Sequence, residues 1–534
     1  MAKQKKNRLA GKPGFPFFVS FLSLLFFFLF FISRGSSLPF VGFNAWNFNT
    51  YSLIAHNYNQ YGYKAVQFAP IISVSKALPD QPEYYLHHPP LLYIIMGITF
   101  RFIGESFFTA RLPVLIASVL SFTLIVFIGT RLHNRLFGIF SGLSYVLMPS
   151  TVVFGRMIGH ESFVLLFILF FVYFVLLYEN RRERLFLFGA SLAVILGILS
   201  DWPMVYFVSL SLPYFLIKRQ MKEWSLFLII AGTTALLIFL YIFFILGSFQ
   251  DIQQAFLNRS TGLLLQQNLW PVRWVSILSL RFFLYFTPTF FFFAAFYIVI
   301  TIKKKLYNTR SMLILVFLIF GITHVLLYPE GSFGHAYWIY YLSPFFALSS
   351  GYVFYALWHR KYYFLMLSCC VFSLVFFLTI ENWKYKEMYG NLWRYNIMEK
   401  ANTSLSSYEP VIINKEGVVD PDLIAYAFRH PFSVDSPYLL TNDGGKGRYY
   451  LYSCMQLCTD DIVEFAHLKR HYDYKKVTIR EAEMYIFNLT KLKHQDVKAQ
   501  GQNIKKSLPV PQKKDSVFKS MYIFLRSILS APQI

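Results

Sequence analysis

The 534-residue sequence is 56% hydrophobic and 20% aromatic, with only 14% charged residues, against about 25% charged in an average soluble domain. With a mean hydropathy of +0.46, such a chain cannot cover a core with polar surface, and its aromatic content excludes disorder, which leaves a polytopic membrane protein. The formal net charge of +23 does not indicate nucleic acid as a partner, because the basic residues are dispersed over helix ends and a tail rather than gathered on one domain; Lys and Arg at cytosolic helix ends facing anionic lipid explain it.

In chain order, a basic stretch (Lys3, Lys5, Lys6, Arg8, Lys12) precedes an uncharged run from Pro13 to Ser33. That run is too long for a signal-peptide core and predicts an uncleaved anchor. Further apolar runs fall near 112–130, 136–155, 162–178, 185–200, 203–217, 224–248, 282–302, 311–328, 337–358 and 362–380, which makes eleven spans, each near the roughly 17–25 residues needed to cross a bilayer. The segment Pro89–Gly104 is apolar but only 16 residues long and carries Arg101. If it does not span, the basic clusters at the N-terminus, Arg131/Arg135, Arg181/Arg182/Arg184, Lys218/Arg219/Lys222, Lys303/Lys304/Lys305/Arg310 and Arg360/Lys361 all face the cytosol. The positive-inside rule therefore makes 89–104 an interfacial helix of the first outer loop, 34–111.

The organisation predicted is a membrane domain over 1–380, a small extracytoplasmic α/β domain over 381–489, a Lys/Gln/Pro-rich linker over 490–515 and an interfacial amphipathic helix over 516–530. The α/β domain is read from strand-like runs (Pro410–Asn414, Arg448–Ser453, Met484–Asn488) alternating with helix-like ones (Asp422–Phe428, Asp460–Arg470). Cys454 and Cys458 would form a short-loop disulfide if this region lies outside, and the cysteine and histidine spacing predicts no metal site.

Up to residue 380 there are ten acidic residues. Glu179, Glu183 and Glu223 lie beside cytosolic basic clusters; Asp80, Glu83, Glu105, Glu161, Asp201, Asp251 and Glu330 face outward. A charge at a membrane boundary is costly unless paired or functional, so a catalytic carboxylate belongs to the outward set. Glu105 lies close to Arg111, which suggests an ion pair. Asp201, in Ser200-Asp201-Trp202-Pro203, reads as a helix cap. The first outer loop is the densest polar region, with a helical spacing from Thr50 to Tyr61 and the segment Asp80-Gln-Pro-Glu83-Tyr-Tyr-Leu-His87-His88-Pro89-Pro90. Two prolines start a helix naturally, because the N–H groups they lack are unneeded there. An aromatic interfacial loop with polar capping would show the same residues.

The order of these segments resembles the GT-C superfamily of polyprenyl-phosphate-sugar-dependent glycosyltransferases, in particular the protein O-mannosyltransferases and the lipid A aminoarabinose transferase. The resemblance rests on Trp46-Asn47-x-x-x-Tyr51-Ser-x-Ile-Ala-x-Asn57, His87-His88-Pro-Pro-Leu-Leu-Tyr93, Thr109-Ala-Arg111-Leu-Pro and Gly155-Arg156-Met-Ile-Gly-His160-Glu161, over roughly residues 15–380. It implies a GT-C fold and inverting transfer of a sugar from a polyprenyl-phosphate donor, the substrate, to a protein, lipid or glycan hydroxyl outside the membrane; it assigns no certain cofactor. It places His88 where the aminoarabinose transferases have a phosphate-facing lysine. Glu161 falls at the second acidic position, and His87, Arg111, Arg156, His335, Tyr337 and Tyr341 are candidates around the donor phosphate. Arg111 and Arg156 could equally snorkel to lipid head groups, and the aromatic 334–344 segment could be an interfacial belt.

The family's first acidic position falls on Asn47, which cannot accept a proton. Either Asn47 orients the acceptor, or Asp80, Glu83 or Glu161 supplies the carboxylate, or the chain is inactive. The alternatives to an enzyme are a transporter, which would need polar residues deep in several spans, and a non-catalytic membrane assembly protein, which Asn47 would suit. The expected location is the cell (inner) membrane, with the site outward. Cysteine labelling should reach residues 34–111 and 381–534 from outside and 131–135 and 303–310 only from inside; outside labelling of 131–135 would make 89–104 a true span.

Overall fold

The computed structural model describes residues 15–42, 44–246, 250–261, 270–304, 309–413, 421–434, 449–455, 463–480 and 482–492. The helix expected at 516–530, the linker beyond Leu492 and Cys458 lie outside them; Cys454 is disulfide-bonded. The described chain forms two compact units. One comprises the N-terminal segment to Ser37, Phe68–Pro70 and Tyr85–Tyr385; the other comprises Leu38–Gln67, Ile71–Tyr84 and the chain from Lys386.

The first unit is helical. Among the described residues six helices are long and apolar enough to cross a membrane: Phe15–Ile32, Phe107–Leu132, His160–Arg181, Met221–Leu246, Arg310–Leu327 and the one beginning at Tyr363. A seventh span results if the pair Trp270–Phe286 and Pro288–Lys303, bent by 104°, is counted as one. This is fewer than the eleven runs read from hydropathy. The difference lies largely at prolines, which remove a helical hydrogen bond and clash with the preceding turn. The 136–155 run is broken into Arg135–Val146 and Pro149–Val153, the 203–217 run into Pro203–Leu210 and Leu212–Lys218, and the 282–302 run at Thr287-Pro288. The 337–358 run begins as a 3₁₀ turn, Ala336–Leu342, before its helix Ser343–His359. Leu91–Ile103 is a helix of 13 residues whose Leu92, Tyr93, Met96, Gly97 and Phe100 are buried, while Ile98 and Phe102 are exposed.

Close helix packing in this unit depends on absent side chains. A Cβ on Gly351 would lie 2.9 Å from the Ser141 backbone, and one on Gly138 would lie 2.5 Å from the Val126 carbonyl oxygen. Helices Phe107–Leu132, Arg135–Val146 and Ser343–His359 therefore approach backbone to backbone, as small residues permit inside membranes.

The second unit carries a five-stranded sheet, with β1 Val411–Ile413, β2 Phe432–Val434, β3 Tyr449–Met455, β4 Tyr472–Ile479 and β5 Ala482–Leu492 in the order β2-β1-β3-β5-β4. The first three strands are parallel and the last two pairings antiparallel. Alternate residues face opposite sides. Val411, Ile413, Leu451 and Ile486 join Ile397, Leu423 and Ile424 from two helices, whereas Ile412, Tyr450, Tyr452 and Phe487 join Phe465 and Leu468 from a third. Helix Ala45–Tyr61 belongs to this unit. Its Asn57 amide donates to the carbonyls of Ile71 and Ser73 at 2.8 and 3.0 Å, and its Gln60 amide to Ser75 at 2.7 Å. Phe40 stacks on Tyr426 of helix Pro421–Phe428, with centroids 5.8 Å apart.

Gly351→Ala should lower stability by about 1–3 kcal/mol through overpacking. Gly232→Ala, on a helix where an added Cβ meets nothing within 4 Å, should be neutral or stabilising. Thermal unfolding of the two variants in detergent checks the contrast.

Candidate functional site

Helices His160–Arg181 and Arg184–Ser200 are joined by a tight turn in which Arg182 adopts a left-handed conformation, φ 57°. The hairpin returns the chain so that the start of one helix meets the end of the next. His160 Nδ1 lies 2.7 Å from the Ser200 carbonyl oxygen and Nε2 lies 2.9 Å from the Tyr93 hydroxyl. A carbonyl only accepts, so Nδ1 carries the proton and Nε2 accepts from Tyr93; both ring nitrogens are satisfied with the ring neutral.

His88 stacks on that imidazole, with ring centroids 4.4 Å apart and planes 16° from parallel. Its Nδ1 is 3.0 Å from Asp201 Oδ1, and both residues are buried. Burial alone would raise the Asp201 carboxyl; the charge and hydrogen bond of His88, the His160 ring and the Trp202 N–H outweigh it and hold the carboxyl below its ordinary range. Asp201 Oδ1 also accepts from the Trp202 N–H at 2.9 Å, and the Trp202 indole N–H donates to the His87 carbonyl at 3.1 Å. His87 itself sits against the Tyr85 ring, 4.9 Å between centroids. On the far side of His88, Arg259 Nη2 lies 3.4 Å from Nε2. Arg259 belongs to helix Gln250–Thr261 and also lies 6.0 Å from the Trp338 ring centroid.

Glu161, one residue past His160, is buried in the first turn of its helix. Tyr337 and Tyr341 lie on the same 3₁₀ turn as Trp338 and are buried. The Tyr341 hydroxyl and His335 Nδ1 have no hydrogen-bond partner among the described residues. Burial, and then the charges of Arg259 and Arg281, lower His335 to about 4. Tyr206 hydrogen-bonds His324, whose Nε2 is likewise without a partner among the described residues.

The remaining arginines occupy other ties. Arg156, 1% exposed, donates to Glu381 Oε1 at 3.1 Å. Arg34 reaches Oε2 of the same carboxylate at 2.6 Å and lies over the Tyr385 ring at 4.0 Å. Arg156 Nε and Nη2 have no hydrogen-bond partner among the described residues. Arg111, fully buried, donates to the carbonyls of Ser36 and Phe107 at 2.6 and 3.3 Å. Of the expected site residues, the first unit thus holds His87, His88, Arg111, Arg156, Glu161, His335, Tyr337 and Tyr341. The second unit holds Asn47, buried on its helix, and Asp80 and Glu83, both exposed. Among the described residues no group of three His, Cys, Asp or Glu could hold a metal ion.

Three participants escaped the sequence reading. By sequence Asp201 reads as a cap, and Arg259 lies in the 249–281 segment, inside the sequon Asn258-Arg259-Ser260 and outside the segments that carry the resemblance. Glu381 lies one residue beyond the range in which acidic residues were counted. The signal available for Asp201 was its place in the short outward set of carboxylates.

Residues 87–244 match the family of dolichyl-phosphate-mannose-protein mannosyltransferases. The fold is similar to that of ArnT from Cupriavidus metallidurans, solved bound to undecaprenyl phosphate, with a TM-score of 0.61 at 12% identity over 89% of this chain and 99% of that one. It is also similar to the archaeal oligosaccharyltransferase AglB from Archaeoglobus fulgidus, in complex with an inhibitory peptide and a dolichol-phosphate, with a TM-score of 0.51 at 11% identity over 90% of this chain and 76% of that one. Comparison with curated protein sequences gives no match. The chain is an integral membrane protein that shares the fold of ArnT, and its residues 87–244 resemble the O-mannosyltransferases in sequence.

Removing one partner from a buried ion pair costs about 3–5 kcal/mol, because the other charge stays buried without its counter-charge. Glu381→Gln should therefore lower the unfolding temperature in detergent markedly. Arg34→Lys should do much less, since the Arg34 side chain is 35% exposed.

Proposed function

We propose that the protein transfers a hexosyl or pentosyl group, with inversion, from a polyprenyl-phosphate donor to a hydroxyl of a protein, lipid or glycan acceptor on the extracytoplasmic face. The observation that carries this reading is the juxtaposition of His88 Nε2 and Arg259 Nη2 at 3.4 Å, in a region rich in buried polar groups. A guanidinium only donates, and two groups able to carry positive charge face one another with profit when an anion lies against both. Charge-assisted hydrogen bonds to phosphate are the strong ones. The family match over the region beginning at His87, and a fold shared with a protein solved with undecaprenyl phosphate, support the choice of anion.

In this mechanism the acceptor hydroxyl attacks the anomeric carbon as the bond from that carbon to the phosphate oxygen breaks. The bonding pair goes to the phosphate, which leaves as a polyprenyl monoester with one more negative charge, and His88 and Arg259 neutralise that charge. The acceptor proton goes to a carboxylate. Glu161 suits the task by its burial in the unit that holds His88; Asp80 and Glu83 are the alternatives, and Asn47 would orient the acceptor by hydrogen bonds.

The purified protein should bind undecaprenyl phosphate, and His88→Ala or Arg259→Ala should weaken that binding by about 10- to 100-fold. Turnover of a nucleotide sugar without any lipid would overturn the reading. Among isosteric carboxylate changes, Glu161→Gln should reduce turnover most, by about 10²- to 10⁴-fold, ahead of Asp80→Asn and Glu83→Gln, while Asn47→Asp is tolerated. Full turnover by all three carboxamide variants would exclude a loop carboxylate as the base.

A further inference from the structure

We infer that Asp201 is a positioning residue for this reaction, holding His88 from behind so that its Nε2 can carry a proton toward a bound phosphate beside Arg259; the inference rests on the phosphate role of His88 and Arg259 proposed above. Asp201 does not cap the helix that follows it. The residue at the cap position of Pro203–Leu210 is Trp202, with no side-chain cap hydrogen bond. A capping carboxylate accepts from the second or third N–H of its helix, whereas Asp201 Oδ1 accepts from the adjacent Trp202 N–H and from His88.

The consequence for His88 follows from donor and acceptor rules. An ionised carboxylate only accepts, so His88 Nδ1 carries a proton and Nε2 is the end that faces Arg259. With no anion present, Nε2 meets a guanidinium that can only donate, and it must offer its lone pair. When a phosphate lies against both groups, Nε2 can take up a proton and donate to a phosphate oxygen alongside Arg259. The negative charge that balances this imidazolium is Asp201, 3.0 Å away on the opposite edge of the ring.

The other groups around His88 do not supply it. His160, stacked on the ring face, has both nitrogens occupied by Ser200 and Tyr93. Arg259 is itself a cation, and Tyr85 presents its ring at 6.1 Å between centroids. A lysine in place of His88 would hold its charge without a partner fixing a tautomer, so a histidine depends on Asp201 in a way that a lysine does not.

The test is a double-mutant cycle on the full-length protein in detergent, with a polyprenyl-phosphate sugar as donor. Asp201→Asn should lower kcat/KM by about 10- to 100-fold, the scale of losing a group that orients a ligand-binding histidine. His88→Lys should retain a reduced activity, and adding Asp201→Asn to it should change that activity by no more than about twofold. If His88→Lys is inactive, undecaprenyl phosphate binding by the same four proteins is the readout, with the same pattern expected. Equal losses from Asp201→Asn in both backgrounds would overturn the inference in favour of a structural role. Full activity of Asp201→Asn beside impaired His88→Ala would overturn it while leaving the phosphate reading intact. Unaltered phosphate binding by both His88→Ala and Arg259→Ala would remove that reading and the inference with it.

Discussion

A charge inside an apolar helical body must be met by an opposite charge or by hydrogen-bonding groups, because moving it out of water unpaired is prohibitively unfavourable. The first unit obeys this constraint through long-range ties. Glu381, with no exposed side-chain surface, receives Arg34 and Arg156, which lie 347 and 225 residues away in sequence. Arg111 Nη1 donates to the Ser36 carbonyl, 75 residues away. Each tie fixes helices that are far apart in sequence but adjacent in space, so the polar interior acts as a set of registration points for the apolar packing around it. The attraction within a buried pair works against the desolvation of both charges, so its effect is felt most when one partner is removed.

The His88 cluster follows the same rule with a different outcome. Asp201 answers His88 on one edge, and Arg259 approaches the other. Asp201 balances the ring on one edge, and the other edge faces the Arg259 guanidinium, with Nη2 at 3.4 Å. His160 contributes shape rather than charge. Its two hydrogen bonds and its stacking fix the plane of the His88 ring, and a fixed plane directs the two nitrogens to opposite partners.

Polar residues gather where helices break. His88 precedes Pro89-Pro90, Asp201 lies two residues before Pro203, and His335 follows the short helix Pro329–Gly334. Arg156 follows Pro149–Val153. Non-helical backbone at membrane depth is tolerated only where protein or a polar cavity satisfies it. His88 and Asp201, each beside such a break, are turned toward one another. The short helices between the breaks hold those side chains more rigidly than long loops would.

The sequence by itself determined the class of protein, because hydropathy and charge dispersion are summed over hundreds of residues and survive local error. It also determined which short segments carry the polar chemistry, since His87-His88-Pro-Pro and Gly155-Arg156-Met-Ile-Gly-His160-Glu161 stand out against apolar surroundings. The α/β character of the tail was legible too, because strand alternation and helix spacing are local patterns. Only the tertiary structure showed where the apolar runs are interrupted, because a proline outweighs the mean apolarity of the window around it. It alone joined residues 38–67 to the unit that carries the sheet, through contacts such as Phe40 on Tyr426 that no local pattern announces. The pairings of His88 with Asp201 and Arg259, across 113 and 171 residues, were equally hidden, because the energy of an ion pair depends on distance in space and leaves no periodicity in the chain.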